Sequence, residues 1–139
     1  MNDWYMMIPL MVFTKIKQKF SQAIKDEYGM TDINFTSQRS NDSAAVFPFV
    51  FVNAMPAIEQ GMDLYGGAVN GALFTFQIDV YDNKSQARAR RVMAETSTVM
   101  KTMGFEIIAM PNFESTQDNT HRMTARFRRV IGANDKFMN

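Results

Sequence analysis

The sequence predicts an α+β fold: a two-layer domain with a mostly antiparallel sheet of about four to five strands and two helices packed on one face. Three observations carry this. Residues Ala72 to Tyr81 alternate strictly, with Ala72, Phe74, Phe76, Ile78 and Val80 on one side and Leu73, Thr75, Gln77, Asp79 and Tyr81 on the other. A period of two with one apolar side marks a half-buried strand. Directly afterwards Ala89, Val92, Met93, Thr96, Val99, Met100 and Met103 recur at helical spacing. The segments on either side read in the order α-β-β-β-α-β-β, and a sheet with one apolar face buries it economically under two amphipathic helices.

Taken in order, residues 1–8 form an N-terminal arm. The apolar run Trp4 to Phe13 fails as a targeting signal because Asp3 stands where a positive flank is needed and no small-residue cleavage site follows. It is also too short to span a bilayer. Pro9 suits the first turn of a helix, where its missing amide costs nothing. That helix runs to about Tyr28, with Val12, Ile16, Phe20, Ala23, Ile24 and Tyr28 buried and Lys15, Lys17, Lys19, Gln22 and Lys25 solvated; Gly29 ends it.

Ile33 to Ser37 gives a short strand, and the polar run Gln38 to Ser43 joins it to Val46–Pro56, rich in β-branched and aromatic residues. Pro48 cannot donate to a ladder, so the start of that strand is expected at a sheet edge or bulge. From Ala57 to Val69 the periodicity is lost and the stretch reads as a loop carrying Gly61, Gly66 and Gly67. Its glycines lack the spacing of a phosphate cradle and the Lys-Ser/Thr that would follow one.

After the central strand, Asn83 or Ser85 caps the second helix and Gly104 ends it in the left-handed conformation. Phe105 to Phe113 is a strand, Glu114 to Asn119 a turn, and His121 to Ile131 the last strand. In that strand Met123, Ala125, Phe127 and Ile131 face one way, and Arg122, Thr124, Arg126, Arg128 and Val130 the other. Residues 133–139 form a polar C-terminal tail, and the chain is one domain.

Composition narrows function. A net charge of +1 gives no global field for nucleic acid or an anionic membrane. The absence of cysteine removes disulfides, thiolate nucleophiles and thiolate zinc sites, and fits a reducing cytoplasm. His121 is the single histidine, so a base–nucleophile pair has only that residue to use. Glu59, Asp63, Asp79, Asp82 and Glu114 show no metal or acid–base spacing; Asp79 and Asp82 read as capping residues. No catalytic set and no cofactor are expected. The 13 methionines are read as adaptable core filler at Met93, Met100 and Met103, and as contacts or disorder near the termini.

The unusual constellation is Arg122, Arg126 and Arg128 on one strand face, with Arg88 and Arg91 on the helix. Three readings compete: a solvated outer face, a single-stranded nucleic-acid surface, or bidentate contacts to carboxylates of a neighbouring copy or partner. Phe127 falls on the apolar side and the stacking aromatics of an RNA-binding sheet are missing, so the protein-contact reading is preferred.

Four phrases carry a family resemblance: Phe47-Pro48-Phe49-Val50-Phe51-Val52, Phe76 to Asp82, the helix ending Met103-Gly104-Phe105, and Arg122 to Arg128. In this order they resemble the tail terminator and tail-completion proteins of the neck of long-tailed bacteriophages, over about Val12 to Ile131. The stretch Gly61 to Gly67 and the apolar N terminus match least. The resemblance implies a structural, non-enzymatic virion protein, assembled in the host cytoplasm and located in the virion tail or neck. It implies a ring, usually a hexamer, that caps the head-proximal end of the tail tube, ends tube polymerisation and joins the head connector. Partners would be further copies, the tail tube protein and head–tail connector proteins, with no membrane, and with DNA only passing through the lumen. A baseplate or minor tail subunit, a neighbouring connector, and a nucleic-acid-binding module are the alternatives. The expected contacts are Arg88, Arg91, Arg122, Arg126 and Arg128, a docking loop with Gly61, Asp63, Gly66 and Gly67, and Trp4 with Tyr5.

Overall fold

The computed structural model describes residues 4–27, 34–36, 48–62, 69–115 and 120–132. A single 3-10 turn (Trp4–Met7) leads into α1 (Ile8–Lys19) and α2 (Gln22–Glu27). Then come β1 (Asn34–Thr36), β2 (Phe49–Ala54), β3 (Ile58–Met62), β4 (Val69–Asp82), α3 (Gln86–Thr102), β5 (Glu106–Ser115) and β6 (His121–Gly132). The sheet order is β1-β2-β4-β6-β5, with β3 pairing β4 beyond the end of β2. The two-layer α+β architecture is as the pattern predicts. Five strands, β2 to β6, pair antiparallel and β1 adds to β2 in parallel, in keeping with a mostly antiparallel sheet.

The core lies between the helices and one sheet face. Ala72, Phe74, Phe76, Ile78 and Val80 of β4 and Met123, Ala125, Phe127 and Ile131 of β6 are all buried. Above them sit Ile8, Val12 and Ile16 of α1 and Ala89, Val92, Met93, Val99 and Met100 of α3. Burying such a set is the main driving force for the fold.

The predicted N-terminal helix divides in two. Phe20 takes an extended backbone (φ −64°, ψ 133°), and its ring meets Phe35 edge-on at 5.6 Å. The apolar stripe survives the break, since Phe20 and Ile24 are both buried, but Ala23 is exposed; Tyr28 and Gly29 lie outside the described residues.

The stretch at 57–69, expected as a loop, contains β3. Ala54 pairs with Phe76 and Ile58 with Leu73, so Ala54 to Ile58 makes four steps while β4 makes three. One extra residue is a β-bulge, and Pro56 sits in it, where no ladder donor is needed. β2 and β3 are thus one long strand broken by a bulge. Met55 keeps the connection, its N–H donating to the Thr75 carbonyl at 2.9 Å. Pro48 lies just before the first paired residue of β2, a strand flanked by β1 and β4, and so occupies neither an edge nor a bulge.

Both ends of α3 are fastened to the sheet. Ser85 caps it, its hydroxyl accepting from the Arg88 N–H at 3.0 Å. Asp82, fully buried, pairs with the Arg88 guanidinium, whose Nε donates to Oδ2 at 2.7 Å. At the other end Gly104 has φ +85°, the left-handed conformation expected there. Arg129 donates to the Met103 carbonyl at 2.8 Å, satisfying one of the orphan acceptors of a helix C terminus.

Candidate functional site

The sheet face away from the helices, the far face, is built in cross-strand rows by the register of β2 or β3, β4, β6 and β5. Phe49, Tyr81 and Arg122 form the first row; Phe51, Asp79, Thr124 and Asn112 the second. Asn53, Gln77, Arg126 and Ala109 form the third, then Thr75, Arg128 and Glu106, and finally Ile58, Leu73 and Val130. The face therefore grades from aromatic through cationic to apolar.

Asp79 is the hub. It is 3% exposed although it faces away from the helices. Thr124 Oγ1 donates to it at 2.6 Å and an Arg122 terminal nitrogen at 3.2 Å. Gln77 Nε2 lies 3.4 Å from its second oxygen and, at its other end, Gln77 Oε1 accepts from Arg126 Nε at 3.0 Å. A buried carboxylate needs such partners, because an unmatched one would be strongly disfavoured. Arg128 Nε donates to Glu106 at 2.7 Å, with both side chains well exposed. Tyr81 lies between Phe49, stacked at 4.5 Å and 13°, and the Arg122 guanidinium, 5.7 Å from its ring centre.

The arginines expected at contacts separate into groups. Arg122, Arg126 and Arg128 share the far face, as the alternation requires. Arg91 is exposed on α3. Arg88 is 7% exposed and engaged by Asp82, because the turn into α3 brings the strand-end carboxylate under the first helical turn; it serves the fold and is no contact surface. Asp82 also lies 3.4 Å from the Lys84 and Ser85 N–H groups of the turn, while the cap of α3 is Ser85; Asp79 lies within β4 and organises the far face. Trp4 and Tyr5 are half-buried against the core, Trp4 approaching Phe74 at 6.5 Å, while Met6, Met7 and Leu10 beside them are exposed. Met6 and Leu10 border a groove of about 350 Å³ between α1 and β2. Gly61 lies in β3; Asp63, Gly66 and Gly67 lie outside the described residues.

Two features escaped the sequence reading. Arg129 falls on the helix-facing side of β6, between Phe127 and Ile131, and an arginine at an apolar position is the signal that it serves a helix end. The second is a compositional split: the strands contain no lysine, and the described lysines lie on the helices or in the β4–α3 turn. Arginine and tyrosine without lysine is the composition of protein interfaces. Among the described residues no group of three or more His, Asp or Glu side chains is placed to hold a metal ion.

No protein-family model matches the chain, and no curated protein matches it by sequence. Solved structures do match. A chain from the virion of a native gene transfer agent particle superposes with a TM-score of 0.55, covering 85% of this chain and 92% of that one. Identity is 15%. What the two share is the fold.

Proposed function

We propose that this chain is a structural, non-enzymatic virion subunit that forms a ring at the head-proximal end of a phage tail tube, ending tube growth and joining the tail to the head connector. The observation behind this reading is the fold likeness to a gene transfer agent virion chain over nearly the full length of both. The phrases around Phe47 to Val52, Phe76 to Asp82 and Arg122 to Arg128 point the same way. A ring needs head-to-tail interfaces, in which one surface of a subunit meets a different surface of the next. The far face with Arg122, Arg126 and Arg128 supplies one such surface. The edge strand β3 and the exposed Met6, Met7 and Leu10 would supply others.

Light scattering on the purified chain, alone and with tail-tube subunits of the same particle, tests the reading. The expected result is a discrete species at a whole-number multiple of the chain mass, formed alone or on addition of the tube protein. A strict monomer under both conditions overturns it.

A further inference from the structure

The three far-face arginines differ in how their charge is matched. Arg122 is taken by buried Asp79, and Arg128 by Glu106. Arg126 is exposed, and its bond goes to the neutral amide oxygen of Gln77; no described carboxylate pairs with it. That one bond holds the guanidinium against the sheet and engages one of its five donors.

A complementary surplus sits elsewhere on the chain. Glu59 of β3 is exposed and pairs with no described cation. Beside it Ile58 is 58% exposed. Glu59 stands opposite Ala72, in the row that faces the helices, whereas Arg126 stands opposite Gln77 on the far face. The two lie on opposite faces of one sheet, so they cannot meet within a copy. Arg126 also has exposed apolar neighbours, Val130 further along its own strand and Met110 on β5, whereas Ile58, next to Glu59 in sequence, faces the far side. A cation on one surface and a carboxylate on a different surface of the same chain is the arrangement of a head-to-tail contact.

We infer that Arg126 of one copy receives Glu59 of the next. This rests on the ring reading above. A nucleic-acid phosphate is the less suitable occupant: among the described far-face arginines Arg126 alone has no carboxylate partner, where a backbone groove needs a run of such cations, and Tyr81 is already engaged by Phe49 and Arg122.

Sedimentation velocity on the wild type, Arg126→Glu, Glu59→Arg and the double variant tests the pairing. Each single reversal sets like charges face to face and should weaken self-association about 100-fold or more; the double variant should return to within about tenfold of wild type. Because both side chains are exposed, the unfolding midpoints of the monomers should be unchanged. If a reversal disturbs folding, Arg126→Gln and Glu59→Gln make the same comparison with smaller losses. A single variant that assembles like wild type overturns the pairing, and so does a double variant as weak as the singles. In both cases a wild-type ring leaves the ring reading standing. A wild type that stays monomeric, even with tail-tube subunits, overturns both. Loss of binding to a single-stranded oligonucleotide in Arg126→Glu, with assembly intact, overturns the pairing in favour of phosphate.

Discussion

The helix-covered face and the far face are made from the same strands, β4 and β6, one residue out of step, yet different forces hold them. Under the helices every β4 position from Ala72 to Val80 on that side is an apolar side chain at or below 2% exposure. On the far face the same span reads Leu73, Thr75, Gln77, Asp79 and Tyr81, and it is joined by named hydrogen bonds and ring contacts. Apolar burial is non-directional and tolerates only small changes in volume. A polar ladder is directional and local, so its members can be removed one at a time. One face specifies the fold; the other can carry recognition without endangering it.

Substitutions should separate the two faces by size of effect. Phe127→Ala empties a fully buried site against Phe76 and should cost about 4 kcal/mol in denaturant unfolding. Asp82→Ala leaves Arg88 charged and buried, and about 3 kcal/mol should be lost, visible as a lower thermal midpoint. On the far face, Asp79→Ala strands Thr124 and Arg122 and should cost about 2 kcal/mol in the same unfolding measurement. Gly104→Ala should cost about 1 kcal/mol, since its φ is +85° and a Cβ would lie 3.1 Å from Arg129 Nε. Arg126→Ala should change stability by less than about 0.5 kcal/mol while still weakening assembly. A large stability loss for Arg126→Ala would erase the distinction between the faces.

The same contrast explains what was legible in the sequence. β4, α3 and the buried side of β6 could be read residue by residue, because one wall of each is pressed against the core and the period is imposed along its whole length. β3 could not. The bulge at Pro56 shifts the phase of alternation: Val50, Val52 and Ala54 face the helices before it, and Glu59 after it. A pattern read straight through Phe49 to Met62 therefore cancels, and Glu59 is exposed where its row is elsewhere buried, so apolarity is not enforced there. β5 is blurred for a related reason. Two register shifts, one next to Pro111, leave Ile108 and Met110 exposed on that edge. Of the site, the shared face of Arg122, Arg126 and Arg128 was legible from alternation alone. Which carboxylate answers which arginine was not, because Asp79 and Arg122 are 43 residues apart and are brought together only by register. Arg88 looked like its neighbours on the helix, and only the turn after Asp82 shows it turned inward.

The fastening of α3 has a mechanical meaning. A helix of 17 residues is about 25 Å long, and the eight steps of β4 from Phe74 to Asp82 span about 27 Å. Arg88 ties one end to Asp82, and Arg129, which stands opposite Phe74, ties the other. The helix is thus a strut clamped at both ends across the sheet, of nearly matching length. A clamped strut resists the shear and added twist that an axial load would put into β4 and β6. The far-face rows are then held in shape before anything meets them, and little ordering would be left to do on contact with a neighbour.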